Sequence, residues 1–231
     1  MNTNHAETGT DYSISLEMFR HRTPRVITSD RCFRSAVCIP VLSSPAGPVL
    51  LFEKRSSFIS DQPGDICFPG GQIEGDETPE EAARREICEE LLVTPDMVRV
   101  AGPADFLHME RLLVFPYVVE LTGYRGSFSK DEVAEVFTVP LSWLLAQPPE
   151  EYELELTVRP KEGFPTDRIQ GGENYRWRDR SETVYFYQYG EYSIWGITAK
   201  ILRSFLQQLK AGDDVPIQEA AVRGLPEAHR S

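Results

Sequence analysis

Glu86, Glu89 and Glu90 stand at i, i+3 and i+4 in the chain. On a helix turning ~100° per residue, that spacing gathers three carboxylates within about one quarter to one third of the circumference. Like charges this close repel unless a cation sits among them, and hard oxygen donors suit Mg2+ or Mn2+. Glu-Glu pairs are also common on plain solvated helix faces, so the neighbouring residues must decide what the triad means.

The element that must carry these acids is well punctuated. Thr78 suits an N-cap, Pro79 the first helical position, and Glu81 completes a capping box, predicting a helix from there to Leu91 or Leu92, before Thr94-Pro95. Ala83, Ile87 and Leu91 lie on the adjoining arc and would seat it on a sheet. Upstream, apolar runs at Ser35–Leu42 and Val49–Phe52 flank a Pro- and Gly-containing turn, predicting a hairpin, and Phe68-Pro69-Gly70-Gly71 forms a Gly-rich loop. Strands are expected at Val98–Ala101 and Leu112–Leu121, and a short helix at Leu141–Ala146. Residues 148–182 are polar apart from an alternating run at Tyr152–Val158 and suggest a projecting hairpin or a lid. Thr183–Tyr189 alternates like a strand, and Ser193–Leu209 carries an apolar helical stripe that includes Ile194. The aromatic residues Tyr175, Trp177, Tyr185 and Tyr187 offer either adenine stacking or ordinary strand packing. Interleaved strands and helices give an α/β or α+β class.

Around the acids runs a longer pattern: Gly71, five residues, Glu77, seven residues, Arg85-Glu86-Ile87, one residue, Glu89-Glu90. It resembles the Nudix box, G-x5-E-x7-R-E-U-x-E-E-x-G-U with U apolar, with Leu92 at the usual second Gly and Val93 in the last apolar slot. The resemblance implies the Nudix fold, a mixed β-sheet sandwiched between helices, and metal-dependent hydrolysis of a nucleoside diphosphate derivative. It implies that Glu86, Glu89 and Glu90 bind Mg2+ or Mn2+, that Glu77 and Arg85 pair to hold the loop against the helix, and that Gly71, with Gly70, brings backbone close to metal or phosphate. Glu89, Glu90 or Glu132 would be the general base. Leu92 lies where the box ends its helix and donates no ligand, so an altered C-cap is expected.

A second stretch, Leu50 to Gly71, resembles the motif of coenzyme A pyrophosphatases, L-L-T-x-R-[SA]-x3-R-x3-G-x3-F-P-G-G. Arg55, Ser56, Gly64, Phe68, Pro69, Gly70 and Gly71 match in register, while Ser60 replaces the second Arg and Glu53 the Thr. The resemblance implies coenzyme A or its derivatives as substrate, 3′,5′-ADP and 4′-phosphopantetheine as products, and Arg55 as a phosphate contact; strand alternation points Lys54 the other way. ADP-ribose or another nucleoside diphosphate derivative would fit the box equally well, and a non-catalytic nucleotide-sensing module is the reading from another class.

Composition frames these expectations. With 41% hydrophobic and 26% charged residues, the 231-residue chain fits one folded domain, expected over 14–210, with flexible tails at 1–13 and 211–231. A formal charge of −12 disfavours nucleic acid and anionic membrane partners, so a small anionic nucleotide would need a metal or a local cation. Four scattered cysteines without a metal-binding spacing, and no signal peptide or long apolar run, lead to a cytoplasmic expectation. A homodimer stays open.

Overall fold

The structure is a computed structural model and describes residues 32–58, 62–109 and 111–212. Ser60, the expected N-terminal tail and all but the first two residues of the expected C-terminal one lie outside the described residues. The described residues gather into one compact unit.

The described residues open with a hairpin of β1 (Phe33–Ser44) and β2 (Gly47–Arg55), paired from Val41–Leu50 to Ser44–Gly47 around a tight turn. Beyond Val41 the two strands part, and the Gly-rich segment enters the gap. There β3 (Ile66–Cys67) pairs with Glu53 and Lys54 of β2, and β4 (Gly70–Gln72) pairs with Ser35–Val37 of β1. The expected loop is therefore woven into the sheet. Only glycine fits at position 70, where a Cβ would lie 2.4 Å from the Ala36 carbonyl oxygen.

Next come α1 (Pro79–Leu91), β5 (Val98–Pro103), β6 (Leu107–Met109) and β7 (Leu112–Leu121). β7 runs parallel to β1 and antiparallel to β5 and β6. β8 (Val133–Pro140) lines the outer edge of β2, completing an eight-stranded mixed sheet, and passes into α2 (Leu141–Ala146).

Strand alternation divides the core between the two faces of this sheet. Ala36, Cys38, Leu51 and Val119 meet Ala82, Ala83, Ile87 and Leu91 of α1. Ile39, Leu50, Phe52 and Val114 face the opposite way, toward Leu144 of α2 and the final helix. Fully buried aliphatic side chains such as Ile87 and Leu91 contribute roughly 1.5–3 kcal/mol each, anchoring α1 beside the sheet. The class is α+β, with a mixed sheet between helices.

The remaining elements are β9 (Glu150–Leu156), β10 (Arg180–Tyr189), β11 (Tyr192–Trp195) and α3 (Gly196–Ala211). β9, β10 and β11 form a small antiparallel sheet, and the 157–179 connection contains short 3-10 turns. The hairpin suggested for 148–182 is thus present, although every residue of β9 is exposed, so its alternation marks no buried face. The expectation of a helix from Ser193 needs correction. Ser193–Trp195 pair with β10 across the turn at Gly190, and α3 starts at Gly196. Ile194 is fully buried, but from a strand, and so happened to extend the helical stripe. No helix among the described residues is long and apolar enough to cross a membrane.

Candidate active site

α1 begins as the capping box requires. The Glu81 amide donates to Thr78 Oγ1 at 3.2 Å and the Thr78 amide to a Glu81 carboxylate oxygen at 2.8 Å. Leu92 ends the helix with φ 52° and ψ 46°, in the left-handed conformation that favours glycine. The connection between β7 and β8 satisfies carbonyls left over at this end. Ser127 donates its hydroxyl to the Leu91 carbonyl at 2.7 Å, and the Ser129 amide donates to that of Glu90 at 2.7 Å. Thus tethered, the loop delivers Glu132, whose amide donates to Ser129 and whose carbonyl accepts from the Ser56 amide at 2.8 Å.

The three helical carboxylates occupy different environments. Glu89 is exposed at 57% and accepts from Arg85 Nη1 at 3.2 Å. Glu86 is largely covered and accepts from the same nitrogen at 2.8 Å; burial raises its pKa, and Arg85 partly opposes the rise. Its carboxylate lies against Gly71, where a Cβ would come within 2.3 Å of Glu86 Oε1. Glu90 is 4% exposed and accepts from the Gly70 amide at 2.7 Å. Burial, and then the charge of Glu53, push its pKa well up.

Arg85 holds this group together. Its Nε and Nη2 reach Glu77 at 2.8 and 3.0 Å, and Nη2 also donates to the Gln72 carbonyl at 3.1 Å. This fork ties β4 and the loop after it to the helix. It also lowers the pKa of Glu77 to about 2, chiefly through the Arg85 hydrogen bonds, and raises the affinity of Arg85 for its own proton.

Glu53 is the acid that sequence reasoning left without a role. It lies on the α1 side of β2, 1% exposed, with Oε1 accepting from the Cys67 thiol at 3.3 Å. Its Oε2 is the one buried side-chain oxygen or nitrogen among the described residues without a hydrogen-bond partner. Burial raises the pKa of Glu53, while the Cys67 hydrogen bond, the Arg55 charge and the adjoining Glu90 carboxyl group oppose the rise. The available signal was a charged residue directly after the apolar run Leu50-Leu51-Phe52, at the motif position otherwise held by Thr.

Most of the expected residues meet here. Glu86, Glu89, Glu90, Glu77, Arg85, Gly70 and Gly71 surround the α1–β4 seam. Glu132 is exposed, and its charge is felt by Glu53, Glu86 and Glu90. Arg55 is half-buried and lies on the Glu53 side of β2, whereas Lys54 lines a separate cavity with Glu135 and Tyr192. The aromatic residues do not converge on the acids. Tyr187 is buried in the core, Tyr185 lies 4.6 Å beneath the Arg203 guanidinium, and Tyr175 and Trp177 pack on one another.

Chemically, the seam offers hard carboxylate donors and a glycine that keeps backbone close. Among the described residues no three His, Cys, Asp or Glu side chains converge as a closed cage, because Arg85 draws Glu86 and Glu89 toward itself while Glu90 turns to Gly70. Even so, the donor set fits a divalent cation. Glu53 and Glu90 are buried acids that affect one another's charge, Glu53 Oε2 has no donor, and a Cβ at Gly71 would fill the space in front of Glu86.

Residues 33–159 match the NUDIX domain. The chain is 28% identical over 213 residues to the Nudix hydrolase NudL of Enterobacter sp. (strain 638), covering 86% of this chain and 93% of that one. NudL of Photorhabdus laumondii subsp. laumondii is 32% identical over 185 residues, covering 79% and 88%. Among solved structures, the Nudix hydrolase RenU from M. smegmatis is similar, with 20% identity, a TM-score of 0.42, and coverage of 48% of this chain and 72% of that one. The match across the box and its surrounding sheet establishes that this chain belongs to the Nudix hydrolase family.

Proposed function

We propose that this Nudix hydrolase cleaves the diphosphate of coenzyme A or its derivatives, releasing 3′,5′-ADP and 4′-phosphopantetheine. The observation that carries the reading is the setting of Arg55 within the coenzyme A pyrophosphatase-like motif. Its amide donates to the Asp65 carbonyl at 2.9 Å and its carbonyl accepts from the Gly64 amide at 3.1 Å. These bonds fix the motif's Arg at the end of β2, beside the acids, where a guanidinium suits a phosphate.

Glu86, Glu89 and Glu90 would hold Mg2+ or Mn2+, supported by their hard oxygen donors and shared helix face. Held there, such an ion would neutralise charge at the diphosphate and acidify water. Arg55 binds and orients the phosphates, and Glu77 and Arg85 keep Gly70 and Gly71 pressed to the helix. Water attacks one phosphorus, the bridging P–O bond breaks, and Glu89, Glu90 or Glu132 takes the proton. The exposure of Glu132 at the mouth of the seam suits that last role.

The replacements at Ser60 and Glu53 favour a second reading, hydrolysis of ADP-ribose or another nucleoside diphosphate derivative. Measuring kcat/KM for coenzyme A, ADP-ribose and diadenosine polyphosphate separates the two. Coenzyme A is expected to lead, and Arg55→Ala to raise its KM at least tenfold. A lead for ADP-ribose would replace the substrate and leave the family chemistry standing. Nucleotide binding without turnover would instead point to a sensing module.

A further inference from the structure

We propose that Glu53 is an additional carboxylate ligand of the divalent-metal centre, reaching it from β2 behind Glu90. This rests on the reading of Glu86, Glu89 and Glu90 as metal ligands and adds a donor from outside the helix. An apolar strand residue would fill this position at no electrostatic cost. Instead it holds a carboxylate that is 1% exposed, with one oxygen bonded to the Cys67 thiol, no amide, hydroxyl or cationic donor on the other, and the Glu90 carboxylate within hydrogen-bonding reach. Two buried acids side by side are expensive unless a cation, or a proton shared between them, satisfies both, and the pair's place against the metal-binding face of α1 favours the cation.

The backbone aims Glu53 at that cation. Cys67 pairs with Glu53 across β3 and β2, and three residues later the Gly70 amide holds one Glu90 oxygen at 2.7 Å. The short segment from Cys67 to Gly70 thus fixes both acids from the same side, Glu53 by its thiol and Glu90 by its amide. Leu51, two residues before Glu53, packs in the α1 core, which confirms the face of β2 from which Glu53 projects. The Glu53–Glu90 pair forms the dry inner wall of the seam, and Glu86 and Glu89 its outer side. A thiol donor on Oε1 leaves Oε2 available to the metal, as an outer partner does for a ligating carboxylate.

Mn2+ binding to the full chain provides the test, read by calorimetric titration and by the Mn2+-dependent rise in melting temperature. The proteins are wild type, Glu53→Gln and Glu53→Thr, each checked for its fold by circular dichroism. The wild type is expected to bind Mn2+, and both variants to bind at least tenfold more weakly, with a smaller Mn2+-dependent rise in melting temperature. Should one variant fail to fold, the other carries the comparison. Unchanged affinity and stoichiometry would overturn the proposal and leave Glu53 and Glu90 as a buried pair sharing a proton. A wild type blind to Mn2+ would remove the metal-centre reading itself, and this ligand with it. Substrate turnover enters neither outcome, so the choice of coenzyme A is judged separately.

Discussion

Gly70 and Gly71 are neighbours in one motif, yet alanine at each should fail in a different way. At position 71 the new Cβ would lie 2.3 Å from Glu86 Oε1, and an ordinary contact of 3.4 Å requires the carboxylate to retreat about 1 Å. The atoms in the way belong to the end of a flexible side chain, so the fold yields cheaply. The stability cost is the weakened Arg85–Glu86 bond, on the order of 1 kcal/mol, or about 2–4 °C of melting temperature. With Glu86 as the proposed metal ligand, a displacement of about 1 Å should lower turnover about 100-fold. At position 70 the Cβ would instead meet the Ala36 carbonyl oxygen at 2.4 Å and Val37 Cα at 2.6 Å, backbone atoms inside the sheet. Relief means giving up β4–β1 pairing and the Gly70–Glu90 bond, about 3 kcal/mol or more, with a melting temperature lower by roughly 6–12 °C. Thermal unfolding and steady-state kinetics on Gly71→Ala and Gly70→Ala read both effects. Full turnover in Gly71→Ala would show that the place of Glu86 does not matter, and a stable Gly70→Ala would refute the packing argument.

Two further perturbations follow from the same geometry. Leu92→Gly should stabilise the protein by about 0.5–1 kcal/mol, because the left-handed backbone penalises leucine by ~1–2 kcal/mol and glycine's extra unfolded entropy offsets only part of that. Leucine's side chain is 60% exposed and loses little burial; a melting temperature at or below wild type would contradict this. Glu77→Gln should remove an acid-sensitive contribution. With its folded pKa depressed to about 2 from 4.5, Glu77 stabilises the fold above pH 4.5, and that contribution disappears as pH falls toward 2. The stability difference between wild type and Glu77→Gln should therefore shrink across that window and with added salt; a difference independent of pH would refute the linkage.

Local chemistry made α1 legible from sequence: the capping box, the Pro at its first position and the apolar arc all agree, and the resemblance to the Nudix box implied the Glu77–Arg85 pair that the structure holds. Less visible was what depends on non-local pairing. β3 and β4 are two and three residues long, and they exist because β1 and β2 separate to receive them. The boundary before α3 was missed because Ile194 satisfies a strand and a helical stripe alike. Glu53 escaped because a lone acid in an apolar strand looks like a substitution in a motif until the strand's buried face is known. The reach of Glu132 depends on the Ser127 and Ser129 bonds to the end of α1, which no spacing rule encodes.

The most direct test of the account is product identification after incubating the purified chain with coenzyme A and Mg2+ or Mn2+, with Glu89→Gln in parallel. The wild type should release equal amounts of 3′,5′-ADP and 4′-phosphopantetheine, and the variant neither. Intact coenzyme A in the wild-type reaction, or equal cleavage by Glu89→Gln, would contradict it.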